Sequence, residues 1–417
     1  MPDPIALLSE LIAAGRDGEA AVQRVVAAHL TALGCAVESF VYRPEEVTLR
    51  EEFAGDRAIV AGARSAVIAR LTGTGGGRSC VLFAHPDSEP VPANHGWSAD
   101  PFRARIADGR LHGWGVADDL SGVAAMISGL GAALGEGWRP RGEIVIASTP
   151  SKRHARGAAA VLQHIARPDA ALYLHPAESG AGMGEIKACT PGLLEFRIAL
   201  AGRAPDTQEP GHAAFAHRGL NVADAAAALL AALSALDAAR GGRVAHPRIA
   251  GFAGRATNVL VSSLRFGAEG ARNRLPVDGV IEGSISFPPG ESLASVMAEL
   301  RAAVAAAPLP AGWPEALHPR IDFPAGVSGA ETGADHPLFV CVEAAIRAET
   351  GAGAFVNPVH TASDIRVPIV QQGVPTLGLG PLGGDLTQNG RVDEWVDVED
   401  HRRCVAVVAR ALRAWCG

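Results

Sequence analysis

The chain has 417 residues, a net charge of −7 and 48% hydrophobic residues. This length predicts more than one domain, and a mildly acidic chain without a run of Lys or Arg argues against nucleic acid or an anionic membrane as the main partner. We therefore expect a small-molecule ligand. No cleavable leader or apolar stretch of spanning length is recognised, and the six cysteines form no CxxC pair, so we predict a cytoplasmic protein with reduced thiols.

Patterns typical of helices alternate with patterns typical of buried strands. Apolar periodicity predicts helices near residues 5–14, 18–33 and 120–134. Continuous apolar runs predict strands at 65–71, 80–85, 143–148, 170–175 and 376–380. This alternation favours an α/β fold with a doubly wound, largely parallel sheet. Residues 38–65 receive no assignment.

The middle of the chain has a different order of elements. It predicts a strand (194–201), a helix (222–240), two strands (256–266 and 279–287) and a helix (293–306). This order is that of a ferredoxin-like α+β sandwich inserted into the larger domain. We therefore predict a catalytic domain built from residues 1–191 and 308–417, with a lid and dimerisation domain at 192–307. Its alanine-rich helix and exposed strand edge favour pairing with a second copy of the chain.

Two polar residues follow buried elements near the start of the sheet. His85 ends the strand at 80–85, and Asp118 follows a glycine-punctuated turn, Gly113–Gly115, just before a helix. Open α/β sheets place their chemistry at the carboxyl ends of the strands. An imidazole and a carboxylate at this edge could supply two ligands of a divalent-metal site. Taken singly, His85 also fits a histidine of the core and Asp118 a helix N-cap.

Five motifs in order along the chain resemble the M20 metallopeptidase family, whose aminoacylases, desuccinylases, tripeptidases and carboxypeptidases have a dinuclear zinc site. The motifs are His85-Pro86-Asp87, the turn from Gly113 to Asp118, His212 to Asn221, Asn273 to Pro276, and Ser363 to Arg366. The resemblance implies a zinc-exopeptidase-like catalytic domain with an inserted lid.

Four departures from the family pattern affect the expected metal site. Lys152 and Arg153 stand where the family has its general-base and metal-binding glutamates, His175 replaces an acidic ligand before a proline, and Gly390 replaces a C-terminal histidine ligand. By resemblance, one ion would be held by His85, Asp118 and His175, whereas the second ion would be lost, with Arg153 filling its place. We therefore expect one divalent transition metal per chain, with manganese and zinc as the main candidates.

The lost residues also bear on the reaction. Without a general-base glutamate and a second ion, an ordinary amide would lack proton transfer and stabilisation of the oxyanion. An electron-poor aromatic amine spreads this charge through its own ring, and among M20 relatives the pattern resembles that of 5-nitroanthranilate aminohydrolase. The best prediction is a metal-dependent aminohydrolase that replaces an aromatic amine with hydroxyl and releases ammonia. The alternatives are an amide hydrolase, such as an N-acyl amino acid deacylase or a peptidase, and a non-catalytic relative.

Further residues receive roles in this hypothesis. Asp87 is expected to hydrogen-bond His85 and fix its tautomer, and His212 is expected, by resemblance, to contact substrate from the lid of a partner subunit. His154 and Asp119 are local acid–base candidates, although a loop histidine and a solvated first-turn aspartate fit equally well. The predicted catalytic residues are Asp87, Lys152, His154 and His212, and the predicted substrate-binding residues are Arg153, Asn273 and Arg366.

Overall fold

The computed structural model describes residues 3–55, 59, 61–93, 96–135, 137–177, 179–358, 363–383 and 391–417. Its α-helices are α1 (Pro4–Ala14), α2 (Glu19–Ala32), α3 (Ser121–Leu134), α4 (Gly157–His164), α5 (Val222–Arg243), α6 (Pro247–Ala253), α7 (Leu293–Ala305), α8 (Pro337–Thr350), α9 (Arg366–Gln372) and α10 (Val398–Cys416). Its strands are β1 (Ala36–Tyr42), β2 (Glu52–Ala54), β3 (Arg64–Leu71), β4 (Cys80–Ala84), β5 (Arg105–Ala107), β6 (Arg110–His112), β7 (Ile144–Ser148), β8 (Ala170–Leu174), β9 (Glu185–Ile186), β10 (Cys189–Thr190), β11 (Gly192–Ala201), β12 (Asn258–Phe266), β13 (Asp278–Phe287), β14 (Arg320–Asp322), β15 (Ala325–Val327), β16 (Ala330–Glu331), β17 (Phe355–Val356), β18 (Thr376–Leu379) and β19 (Trp395–Asp397).

These elements form two compact units. The first contains residues 1–50, 56–189 and 331–417, and the second contains residues 51–55 and 190–330. The predicted return to the catalytic domain at residue 308 falls within the second unit, where β14 and β15 pair with β11. The unassigned segment 38–65 also contributes β2, which pairs with β15. Short return strands of three residues carry too little periodicity to be recognised in a sequence.

The first unit is built on a six-stranded sheet in the order β1-β3-β7-β4-β8-β18. The neighbours β7, β4, β8 and β18 run parallel, as the apolar runs predict. β1 and β3 instead add an antiparallel edge. The four parallel strands therefore bring their carboxyl ends to one edge of the sheet.

Alternate residues of the central strands pack on opposite faces of this sheet. Leu82 and Ala84 of β4 belong to a core with α1, α3 and α10, whereas Val81 and Phe83 belong to a second core with α4. Each fully buried leucine or phenylalanine stabilises the fold by roughly 1.5–3 kcal/mol. Because helices cover both faces, the strands are apolar throughout, and only the residues just beyond their ends can be polar.

The second unit is an antiparallel sheet with helices packed against it. Its strand order is β12-β13-β11-β15-β2, with β14 also paired to β11. Apolar residues of β11 and β13 form one core with residues of α5 and α7. The predicted β-α-β-β-α order is present, with α6 and the return strands added to it.

Two helices are long and apolar enough to cross a membrane by length and composition alone, which corrects the expectation that no stretch reaches that length. They span Val116–Leu134, whose window is 94% buried, and Val222–Arg243, whose window is 28% buried. The core helix of a soluble protein passes the same test, so this finding is weak support for a membrane segment.

Candidate metal centre

Three segments of the first unit meet at the carboxyl edge of its sheet. His85 follows β4, His175 follows the parallel neighbour β8, and Asp118 lies in the turn before α3. Gly115 supplies this turn with a left-handed φ of 71°. At the start of α3, a Cβ on Gly122 would lie 2.1 Å from the carbonyl oxygen of Leu174. A glycine is therefore required for α3 to approach β8 and bring Asp118 beside His175.

The three side chains point their ligand atoms at one another. Asp118 Oδ1 lies 2.9 Å from His85 Nε2 and 3.3 Å from His175 Nε2. His85 Nδ1 lies 2.9 Å from the carbonyl oxygen of Asp87, and His175 Nδ1 lies 3.2 Å from that of Pro176. With hydrogen on each Nδ1, as coordination through Nε2 requires, both Nε2 lone pairs would be available to a metal ion; in the metal-free chain the two Nε2 atoms instead lie within hydrogen-bonding distance of the carboxylate.

This arrangement fits a divalent metal ion. Two ligands bound at about 2.05 Å in a tetrahedral site lie about 3.3 Å apart, close to the separations of the three atoms. All three side chains are buried and their ligand atoms lie within 4.8 Å of one another. Two neutral imidazoles and a carboxylate suit zinc, manganese or ferrous iron, and leave coordination positions for water and substrate.

The second oxygen of Asp118 has a different partner, the Lys152 ammonium. Burial alone would raise the pKa of Asp118, but hydrogen bonds from His175 and His85 and the Lys152 charge hold it well below the usual range. Burial likewise would lower the pKa of Lys152, but Asp118 and, to a smaller extent, Asp87 and Glu89 hold it above its usual value. The pair is therefore ionised, and it is Lys152, not Arg153, that brings positive charge to Asp118.

Asp87 shapes the loop that presents Lys152. Its two carboxylate oxygens accept hydrogen bonds from the backbone N–H groups of Ser151 and Lys152, both at 2.9 Å. The same carboxylate lies 3.5 Å from His85 Nδ1, farther than the Asp87 carbonyl oxygen. Asp87 therefore contacts His85 as predicted, but the shorter contact to the ring comes from its backbone carbonyl oxygen and not from its carboxylate.

Arg153 and His154 lie on the same loop but face other groups. The Arg153 guanidinium lies 3.1 Å from the Glu89 carboxylate, with 52% of its side chain exposed. It therefore does not fill the place beside Asp118, and the sequence-based expectation for it is corrected. His154 is half-buried and has a left-handed φ of 53°.

Asp119 is fully buried, not solvated as one interpretation of the sequence had it. Its carboxylate accepts hydrogen bonds from the backbone N–H of His85 and of Gly122, both at 3.2 Å. Burial raises the pKa of Asp119 well above the usual value. Through these two hydrogen bonds, Asp119 connects the end of β4 to the start of α3. The peptide bond that joins it to Asp118 is cis.

Arg366 lies at the start of α9 and is 9% exposed. It donates to the carbonyl oxygen of Ser363 at 3.1 Å and lies 3.7 Å from the Asp364 carboxylate. Asp364 also accepts a hydrogen bond from Ser151 Oγ at 2.5 Å. Through Asp364, these contacts connect α9 to the Lys152 loop. Arg366 therefore has contacts within the protein in addition to its predicted role in binding substrate.

Two predicted residues, His212 and Asn273, belong to the second unit and lie close together there. The Asn273 carbonyl oxygen accepts from the N–H of Ala213 at 2.9 Å. His212 Nδ1 accepts from the N–H of Ala214 at 3.1 Å, so a neutral ring carries its hydrogen on Nε2 and can donate it. Gly390, the position of the missing histidine, lies outside the described residues.

Three further residues at this centre, Lys187, Glu394 and Glu89, were not predicted. Lys187 is fully buried, and its ammonium donates to the carbonyl oxygens of His175 and Pro176 at 3.0 and 2.5 Å and lies 3.2 Å from His175 Nδ1. Glu394 Oε1 accepts from the N–H of Gly115 at 2.5 Å, and the Glu89 carbonyl oxygen accepts from Trp114 Nε1 at 2.8 Å. A charged residue inside an apolar run, as at Lys187, is the signal that could have indicated the first of them.

Glu394→Gln is expected to make the stability of the metal-free protein less dependent on pH. Burial raises the pKa of Glu394 from 4.5 to about 8. The contribution of Glu394 to the free energy of unfolding is fully present below pH 4.5. This contribution, which is at most about 5 kcal/mol, is lost as the pH rises through about 8. Urea unfolding at pH 5 to 9 with a chelator would measure the effect. A wild-type profile that Glu394→Gln leaves unchanged would contradict the assignment.

Comparisons with known proteins agree with these motifs. Residues 81–414 match the profile of peptidase family M20/M25/M40. The chain is 29% identical over 346 residues to a succinyl-diaminopimelate desuccinylase of Methylobacterium radiotolerans, covering 81% of each chain. Its fold is similar to aminopeptidase PepT of Bacillus cereus (TM-score 0.70, 17% identity, 100% of this chain and 98% of that one). It is also similar to the YXEP protein of Bacillus subtilis, a dinuclear metal-binding peptidase (TM-score 0.60, 14% identity, 98% of each chain). The chain belongs to peptidase family M20/M25/M40 and is a metal-binding hydrolase of carbon–nitrogen bonds.

Proposed function

We propose that this hydrolase works with one divalent metal ion per chain, manganese or zinc, held by His85, Asp118 and His175. The observation that carries the proposal is the division of the Asp118 carboxylate between two kinds of partner. Oδ1 faces the two imidazoles, whereas Oδ2 holds the Lys152 ammonium. In dinuclear relatives the matching aspartate would bridge two ions, and here a lysine supports replacement of one of them by a fixed cation.

The residues around the triad have separable tasks in such a reaction. A bound metal supplies a Lewis acid and can lower the pKa of a water from about 15.7 to roughly 7. Lys152 keeps a positive charge beside the reacting centre, where it attracts an anionic substrate and stabilises negative charge formed on it. Asp87 holds the backbone of Lys152 in place, and Asp119 holds His85. By resemblance alone, His212 stays predicted to contact the substrate from the lid of a partner subunit, and its Nε2–H is the group that could donate to an oxyanion.

The substrate that best matches these groups is a small anionic aromatic amine. Attack of water on the ring carbon that carries the amine gives an anionic adduct, and a nitro group spreads this charge within the substrate. Such a substrate needs less help from a second metal ion than an amide does. Lys152, the half-exposed Arg153 and Arg366 of the first unit supply groups for its carboxylate or nitro oxygens. Asn273 of the second unit stays a predicted substrate-binding residue by resemblance alone.

The test is metal-dependent ammonia release from 5-nitroanthranilate, with N-succinyl-diaminopimelate offered in parallel. Protein freed of metal with a chelator and reloaded with manganese or zinc is expected to release ammonia from the nitro compound, and the chelated protein is not. Release of succinate alone would replace this substrate assignment with amide hydrolysis. Turnover of neither compound would contradict both.

Amide hydrolysis is the second candidate, and one observation favours it. The desuccinylase of Methylobacterium radiotolerans shares 29% identity over 81% of this chain, and its name describes cleavage of a succinyl amide. Position 152 is a lysine and not a glutamate, so another group must transfer the proton in that reaction. Lys152 itself and His154, on the same loop, are the candidates.

We further propose that the chain forms a homodimer through its second unit and acts in the cytoplasm. β12 is an edge strand of its sheet, with Leu260 and Leu264 exposed by 57% and 41%. The adjacent α5 is alanine-rich, and only 28% of the residues in its apolar window are buried within the chain. Exposed apolar strand edges favour pairing with a second copy. A solution mass equal to one chain would contradict the dimer.

A further inference from the structure

The proposed function leaves one requirement open, a group that moves a proton between the attacking water and the leaving nitrogen. Most described carboxylates around the metal centre are unsuited to it. Asp87, Asp118 and Asp119 are all less than 7% exposed, and each already accepts from backbone or charged groups. Glu394 is 1% exposed beneath the turn that carries Asp118.

Glu89 is different, because its carboxylate is accessible while its backbone is fixed. The side chain is 45% exposed. It lies four residues after His85, so its Cα is within about 14 Å of that of His85. Its carbonyl oxygen accepts from Trp114 Nε1 at 2.8 Å, which ties it to the turn leading to Asp118. Glu89 therefore lies on the segment that follows His85, where one hydrogen bond ties it to the turn that supplies Asp118.

The charged groups around Glu89 also favour a role for its carboxylate at the metal centre. Its carboxylate lies 3.1 Å from the Arg153 guanidinium, and its charge also acts on the Lys152 ammonium, which contacts Asp118. The loop from Lys152 to His154 supplies only cationic or basic side chains. Glu89 therefore brings an exposed carboxylate into contact with a loop that has none of its own.

We propose that Glu89 is the proton-transfer residue of this enzyme, an inference that rests on the proposed function. A Glu89 oxygen takes a proton from the attacking water as the water oxygen bonds to the substrate carbon. The same proton passes to the substrate nitrogen as the carbon–nitrogen bond breaks. Water and aromatic amine then give the hydroxyl product and ammonia, and Glu89 is ionised again. Arg153 holds the carboxylate in position between the two transfers.

Glu89→Ala and Glu89→Gln test this role against a matched control, Glu343→Gln. The control also removes the carboxylate of a surface Arg–Glu pair, in which Arg347 lies 3.2 Å from Glu343. On whichever of the two compounds the wild-type protein turns over, the Glu89 variants are expected to lose about 100- to 10,000-fold in kcat with unchanged metal content. Glu343→Gln is expected to change kcat by less than about twofold, because its ion pair lies at the surface and has no role in the reaction. Added formate should restore part of the activity of Glu89→Ala, since a small carboxylate can replace the missing group.

The outcomes separate this inference from the proposed function. An active wild-type protein with Glu89→Gln reduced no more than Glu343→Gln, and no rescue of Glu89→Ala by formate, would overturn the role of Glu89 and leave the proposed function standing. A wild-type protein that turns over neither compound would overturn the proposed function and the role of Glu89 with it. Loss of metal from the Glu89 variants would assign Glu89 to the metal site instead of to proton transfer.

Discussion

His175→Ala is expected to abolish metal binding, lowering the affinity for manganese or zinc at least about 100-fold. Its ring supplies one of three ligand atoms, and loss of an outer partner of a ligand already costs about 10- to 100-fold in affinity. The wild-type protein is expected to retain one ion per chain, and the variant none. Elemental analysis after gel filtration and calorimetric titration of the chelated protein would measure both.

His164→Ala is the matched control, because His164 is also a histidine but lies at the surface and pairs with Glu38 at 2.8 Å. It should retain one ion. Two ions in the wild-type protein would contradict the single-metal proposal. One ion that survives His175→Ala would instead show that another group holds the metal.

The proximity of His85, Asp118 and His175 could be predicted because the signals for it are local. A buried strand is apolar throughout, so a polar residue just after it, such as His85 or His175, stands out in the sequence. A glycine turn before a helix marks Asp118 in the same way. Once the strands are known to be parallel, their carboxyl ends meet at one edge, and the three residues are brought together by topology.

Side-chain partners across the centre could not be predicted in the same way. Lys152 and Arg153 are adjacent in sequence, and only the backbone of their loop decides which one reaches Asp118. That backbone has left-handed φ values at Arg153 and His154 and is fixed by hydrogen bonds to Asp87. Neither feature has a sequence signature, since non-glycine residues seldom adopt positive φ. Glu89 was missed because its partner, Arg153, lies 64 residues away.

The boundaries of the second unit had the same limitation. Its main strands and helices are long, and they were predicted close to their observed bounds. β2 and β15 are each three residues long and pair with one another from distant parts of the chain. Pairing of this kind depends on the register of strands that the sequence does not place side by side.

Lys152→Met is expected to destabilise the metal-free protein strongly and the metal-loaded protein much less. In the metal-free chain, Lys152 neutralises Asp118, which is buried, and removal of one partner of a buried ion pair costs about 3 kcal/mol or more. In the loaded protein the metal charge compensates Asp118 itself, so a loss of about 1 kcal/mol is expected, the usual range for a single substitution. Urea unfolding with chelator and with saturating manganese would give both free energies of unfolding.

The difference between these two effects predicts how tightly the variant binds metal. Because binding and folding form one thermodynamic cycle, a destabilisation that is about 2 kcal/mol smaller in the loaded protein means roughly 30-fold tighter metal binding. Arg153→Met is the matched control: its ion pair with Glu89 is half-exposed, so it should change stability by less than about 1 kcal/mol in either state. Weaker metal binding by Lys152→Met would mean that Lys152 positions Asp118 for the metal, whereas tighter binding with reduced turnover would mean that the lysine competes with the ion for Asp118 and is retained for its charge.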